Sequence, residues 1–106
     1  MFYIKQNDTA PSIQATLKDA DGVAVSLAGA TVSFKMRKQG SATAKVNAAA
    51  TIVNSAEGIV KYNWLSADTN TVGTYQAEFQ VTYANATVET FPNATYPKVK
   101  VIDDIA

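Results

Sequence analysis

Apolar and polar residues alternate with a period of two along most of this sequence, and no other feature constrains the fold as strongly. The clearest run extends from Tyr75 to Tyr83, where every second side chain is apolar. Such alternation is typical of β-strands that bury one face, whereas an amphipathic helix repeats every three to four residues. The pattern recurs in residues 13–18, 31–37 and 59–64. The sequence therefore predicts an all-β protein.

Turn-forming residues separate the predicted strands. Residues 19–22, 39–41 and 54–58 combine glycine with small polar residues, which accept local hydrogen bonds and tolerate positive φ. Residues 84–86 are expected to close a tight hairpin in which Asn85 is left-handed. Residues 66–69 predict a short helical turn with Ser66 as its cap and Asp68 near its positive end.

Residues 42–50 are rich in alanine, the best helix former, so both a helix and a strand fit this segment. The β-branched residues Thr51, Ile52 and Val53 follow without a break and favour the strand. In that strand one face carries Val46, Ala48, Ala50 and Ile52.

The number of predicted strands indicates the type of sandwich. About seven antiparallel strands in a chain of this length are typical of an immunoglobulin-like β-sandwich. Asp68, Gly73 and Tyr75 place a turn just before a tyrosine near the start of the penultimate strand. In a tyrosine corner such a phenol hydrogen-bonds to the backbone of the preceding loop. Since 106 residues suit one hydrophobic core, residues 1–106 predict a single immunoglobulin-like domain.

Composition limits the chemistry of the chain. There is no His and no Cys, and nine basic residues balance nine acidic ones. The commonest general base, a thiol nucleophile, a disulfide and a thiolate zinc site are therefore absent. Neutral charge and scattered lysines argue against a nucleic-acid partner, and no apolar stretch approaches the length of a membrane span. We therefore expect that the protein is not an enzyme and that it has no catalytic residue, no cofactor-binding residue and no metal site. We also expect that it does not insert into a membrane.

Acidic side chains offer two alternatives. Asp19 and Asp21 can bind Ca²⁺ through loop oxygens, or they can simply shape a hairpin turn, which we prefer. Glu78 and Glu89 can be neighbours across the last hairpin, as the carboxylate pair of a glycosidase would be. A flat strand surface is expected to offer them no cleft.

Aromatic residues divide into core and candidate contact positions. Six occupy inward-facing positions: Phe34, Tyr62, Trp64, Tyr75, Phe79 and Tyr83. Those near the chain ends or beside prolines form the candidate contact surface: Phe2, Tyr3, Phe91 and Tyr96. Capping the open ends of the sandwich is their alternative role. We expect residues 2–6 and 96–102 to be edge strands that carry contacts. Because Pro92 and Pro97 cannot donate to a ladder, the last segment should be an edge strand or a strand broken by a bulge.

Six short segments follow one another in a fixed order over nearly the whole chain. They are IKQNDTAP at 4–11, ATLKDADG at 15–22, LAGATVSFKMR at 27–37, GIVKYNW at 58–64, GTYQAEF at 73–79 and TFP at 90–92. This order resembles the immunoglobulin-like N-terminal domain of the upper baseplate proteins of tailed phages. In that family the domain attaches receptor-binding proteins to the tail, and a helical or coiled extension usually follows it.

The resemblance implies a structural virion protein of the tail or baseplate, assembled in the cytoplasm of the bacterial host. Its partners would be other virion proteins and further copies of the chain. Because no extension follows Asp103-Asp104-Ile105-Ala106, we expect either a small free-standing virion protein or a fragment of a longer one. A glycan- or host-surface-binding module and a phage head decoration protein remain as alternatives.

Overall fold

The computed structural model describes residues 2–19, 21–91 and 98–103. Nine strands and a single 3₁₀ turn, Ser66–Asp68, occur in these ranges. The strands are β1 (Phe2–Lys5), β2 (Ile13–Thr16), β3 (Thr31–Lys38), β4 (Ala44–Ala49), β5 (Thr51–Asn54), β6 (Ile59–Tyr62), β7 (Gly73–Thr82), β8 (Val88–Phe91) and β9 (Lys98–Ile102). The prediction of an all-β protein is confirmed.

The strands form two sheets. The larger sheet has the order β1-β9-β7-β3-β4, with β8 paired to the second half of β7, and the smaller sheet has the order β2-β6-β5. This division is that of an immunoglobulin-like sandwich, as predicted. Two details differ, because nine strands replace about seven and β1 pairs with β9 in parallel. No hairpin joins these two strands, so no turn obliges them to run antiparallel.

The last strand does not lie at an edge, so that prediction is wrong. β9 lies between β1 and β7 and pairs with both. The edge assignment depended on Pro92 and Pro97, which lie outside the described residues. The described ladder begins only at Lys98, and every residue in it has a backbone N–H to donate. β1, β4 and β8 are the described edges of the larger sheet, since each pairs with one strand only.

The alanine-rich segment forms strands, as predicted. β4 pairs with β3 in the larger sheet, and β5 pairs with β6 in the smaller one. The chain crosses between the sheets at Ala50, whose N–H donates to the carbonyl oxygen of Val32 at 2.8 Å. Val46 is buried and Ile52 is partly buried, so the predicted face does point inward. Packing between the sheets, which helix propensity does not include, decides this segment.

An aromatic cluster joins the two sheets. Phe34 of β3 lies opposite Phe79 of β7 in the register, with ring centroids 5.1 Å apart. From the other sheet, Tyr62 stacks on Phe34 at 4.6 Å, and Trp64 meets the same ring edge-on at 5.5 Å. These aromatic residues are buried, as is Tyr75, whereas Tyr83 is half-buried. Aromatic packing therefore bridges the sandwich where antibody domains use a disulfide.

The turn predicted at residues 19–22 forms around the Asp19 side chain. Asp19 Oδ1 accepts the N–H of Asp21 at 2.9 Å and that of Val23 at 3.0 Å. Gly22 has a φ of 79°, which glycine adopts without steric cost. Asp19 therefore organises its own turn.

The hairpin at residues 84–86 differs from the prediction. Ala86, with a φ of 70°, adopts the left-handed conformation in place of Asn85. The Asn85 side chain instead accepts hydrogen bonds from the N–H and the hydroxyl of Thr87, at 3.2 and 2.6 Å. This Asx-type turn uses the side chain of asparagine and leaves the positive φ to the next residue.

Gly58 is the glycine whose replacement we expect to cost most. Its φ is 67°, and a Cβ there would lie 2.7 and 2.8 Å from the carbonyl oxygens of Leu17 and Val25. Backbone strain and overlap together should make Gly58→Ala lower the free energy of unfolding by about 3 kcal/mol. Gly22→Ala, with φ of 79° and open space around it, should cost only about 1 kcal/mol. Urea denaturation measures both values, and equal losses would contradict the packing argument.

Candidate contact surfaces

Tyr75 anchors the loop that precedes β7. Its ring is buried, and its hydroxyl donates a hydrogen bond to the carbonyl oxygen of Thr71 at 2.6 Å. Burial raises the pKa of the Tyr75 phenol, so the hydroxyl stays protonated, as a donor, to a higher pH than that of an exposed tyrosine. Gly73 begins the strand, and a Cβ at this position would approach Lys38 Cε to 3.0 Å. The phenol thus ties the loop to the strand that follows it.

Asp68 stabilises the same loop through different partners. Its Oδ2 atom accepts a hydrogen bond from the buried Tyr62 hydroxyl at 2.6 Å and another from the N–H of Leu65 at 2.8 Å. Leu65 is the N-cap of the 3₁₀ turn. The prediction that Ser66 caps this turn is therefore wrong, because the Asp68 carboxylate takes the free backbone donor. Asp68 and Tyr75 therefore stabilise the same loop through separate hydrogen bonds.

The loop also holds the end of β1. Asn7 donates its N–H to the carbonyl oxygen of Thr69 at 2.9 Å. The Thr69 hydroxyl donates to the carbonyl oxygen of Asp8 at 2.8 Å, and Gln6 Nε2 donates to that of Asn70 at 2.8 Å. Three hydrogen bonds between distant parts of the sequence therefore fix the chain that leaves β1.

The pKa of Tyr62 predicts how stability depends on pH. Burial, then the hydrogen bond to Asp68 and its negative charge, raise this pKa above the ordinary value of 10.0. As the pH rises, the Tyr62 phenol therefore loses its proton at a lower pH in the unfolded chain than in the folded chain. The contribution of Tyr62 to the free energy of unfolding should therefore be constant below about pH 10 and fall as the pH rises further.

Tyr62→Phe tests this dependence. The variant should lose about 2 kcal/mol of unfolding free energy at pH 7, because a buried hydrogen bond to a carboxylate is removed. Its stability should also fall less steeply above pH 10 in chemical denaturation. Tyr3→Phe removes a hydroxyl from an exposed ring and serves as the matched control. A Tyr62→Phe profile parallel to that of the wild type would contradict the assignment.

The predicted contact residues occupy different environments. Phe2 is half-buried and packs near Trp64, with ring centroids 5.9 Å apart. Phe91 is also half-buried, packs against the core and lies opposite Phe79. Tyr3, at 58 % exposure, is the most exposed aromatic side chain in the part of the chain that the structure describes. Tyr96 lies outside the described residues, and a contact role for these four residues stays a prediction.

Glu78 and Glu89 do not form the carboxylate pair that a glycosidase would need. Glu78 lies opposite Lys35 on β3, whereas Glu89 lies opposite Val81. Glu89 accepts a hydrogen bond from the Tyr83 hydroxyl at 2.8 Å. The alternative in which the two glutamates are neighbours does not occur, because the register of the hairpin separates them. No group of three acidic, His or Cys side chains that could hold a metal occurs among the described residues.

The outer face of the larger sheet carries a groove that the sequence did not reveal. We call it the basic groove; its volume is about 530 Å³. The residues that line it include Lys35, Arg37, Ala44, Gln76, Glu78 and Lys98. The expectation of a flat strand surface is therefore wrong. The sequence does contain a partial signal for the groove, since Lys35 and Arg37, like Lys98 and Lys100, occupy alternate positions of one strand. That the two pairs lie on the same face depends on the register of three strands.

Comparison with known families identifies the chain. The family model of the BppU N-terminal domain matches residues 2–93. The chain belongs to this family. It is a family of phage baseplate upper proteins, and the resemblance seen in the motifs is confirmed. The match covers β1 to β8, and none of the curated proteins searched matches the chain. Among the described residues, no helix is long and apolar enough to cross a membrane.

Proposed function

We propose that residues 1–106 form one structural domain of a phage baseplate, which acts through protein–protein contacts in assembly or in the attachment of receptor-binding proteins. The observation that carries the proposal is the family match over eight of the nine described strands. A baseplate-associated structural role is what this family indicates. Its partners are other virion proteins and copies of itself, and it assembles in the host cytoplasm.

The stiffness of the sandwich supports a role as a connector. Aromatic packing joins the two sheets around Phe34, and the loop of Asp68 and Tyr75 is held by hydrogen bonds to three separate strands or their ends. A rigid domain loses little conformational entropy when it binds, so it can hold its partners in one geometry. The edge strand β4 adds unpaired backbone groups to the surfaces available for contact.

A binding role also suits the chemistry of the surface better than catalysis does. The basic groove contains one carboxylate, Glu78, and the chain has no His or Cys. Glycoside hydrolysis by carboxylates needs two of them on opposite sides of the scissile bond. The glycan alternative would need several exposed coplanar rings, whereas Tyr3 alone exceeds half exposure within the described ranges. We therefore propose a non-enzymatic domain.

Fractionated phage particles test the proposed function. Virions of the phage that encodes this chain are separated into heads and tails, and the chain is quantified in each fraction by mass spectrometry. We expect it in tails, with antibody labelling at the baseplate end in electron micrographs. Recovery with heads would support a decoration role instead, and absence from both fractions would contradict any virion role.

A further inference from the structure

We propose that the basic groove binds an acidic segment of a partner protein in the virion. This inference rests on the proposed function and adds to it the surface and the chemistry of the partner. The groove lies on the exposed side of the larger sheet, where β4, β3, β7 and β9 run side by side.

Strand register brings the cations together. Arg37 lies opposite Gln76, and Gln76 lies opposite Lys98 on its other side. Adjacent strands are about 4.8 Å apart, so the Cα atoms of Arg37 and Lys98 are about 10 Å apart. Lys35 is the next outward residue on β3 and faces Glu78. The intervening side chains point into the core, so all these charges share one face.

The cations of the groove are not used by the fold. Within the described ranges, no hydrogen bond or ion pair engages the side chains of Lys35, Arg37 or Lys98. Lys100 extends the positive surface by one row, opposite Thr74. Four cations therefore face a single carboxylate, Glu78, on a chain of zero net charge. Such concentration of charge creates a local positive potential that attracts acidic partners and orients them.

The shape of the groove suits an extended segment. Ala44, a small residue, faces Arg37 across the pair of strands β3 and β4, and it leaves the space beside the guanidinium open. The register of this pair shifts between Met36 and Arg37, and such irregularities redirect side chains and bend a sheet. A segment lying in the groove can place one carboxylate against the planar fork of Arg37 and another against Lys98.

The charge pattern favours a protein partner over a nucleic acid. Glu78 lies opposite Lys35 at one end of the cations, where it would repel a phosphate but can accept a hydrogen bond from a peptide N–H or hydroxyl. Binding of single-stranded nucleic acid also uses several exposed aromatic rings for stacking. Tyr3 is the ring most available for this among the described residues.

Charge reversal tests the groove on the intact chain. Arg37→Glu with Lys98→Glu reverses two groove charges, and Lys18→Glu with Lys61→Glu makes the same total change on or beside the smaller sheet. Each protein is titrated onto purified tail particles that lack this chain. We expect the groove variant to bind at least about tenfold more weakly, the control within about twofold of wild type, and wild-type binding to weaken at higher salt.

The outcomes separate the two proposals. If the wild type does not bind tails, the proposed function fails; if the groove variant binds as tightly as the control, only the groove proposal fails. Circular dichroism and the melting temperature check folding. Arg37→Gln with Lys98→Gln, which removes both charges but keeps polar side chains, should show an intermediate loss even if the reversed variant misfolds.

A second titration identifies the chemistry of the ligand. Fluorescence anisotropy compares a labelled peptide of alternating glutamate and glycine with an oligothymidine of equal charge. We expect the peptide to bind the wild type and to lose binding to the groove variant. Preferential binding of the oligothymidine would overturn the proposal in favour of a nucleic-acid site, and no binding of the peptide would overturn it as well.

Discussion

The stacked pair of Phe34 and Tyr62 is the contact on which the rest of the structure depends. The two rings come from different sheets and lie 4.6 Å apart and nearly parallel, with Trp64 edge-on to both. The chain has no Cys, so no covalent bridge can hold the sheets together. Burial of these large rings provides the apolar contact that a disulfide would otherwise support.

The polar loop between β6 and β7 depends on this aromatic cluster. Tyr62 contributes its ring to the core and its hydroxyl to Asp68, so one side chain links apolar packing to the loop geometry. Tyr75 and Thr69 then attach the loop to β7 and to the chain after β1. Hydrogen bonds of this kind are strong where water is excluded.

The two faces of the larger sheet have separate roles. Its inner face carries the apolar residues that build the core, while its outer face concentrates cations that form no bond within the described structure. Stability and recognition are therefore assigned to alternate residues of the same strands. Substitution of outward cations can change partner binding while leaving the core intact, and this separation makes the domain suitable for a structural assembly.

The sequence alone determined the all-β class, the inward aromatic residues and the turn around Asp19, because alternation and turn chemistry are local properties. Even the alanine-rich segment ending at Ala50 was predictable, since β-branched residues follow it. Tertiary structure alone decided that β9 lies inside the sheet, that Asp68 accepts a hydrogen bond from the Tyr62 hydroxyl, and that Lys98 and Arg37 flank Gln76 on one face. The positions of β9 and Lys98 depend on the register between strands far apart in the chain, which no local pattern specifies. The bond between Tyr62 and Asp68 is close in sequence, but it requires the loop after β6 to fold back onto a buried ring.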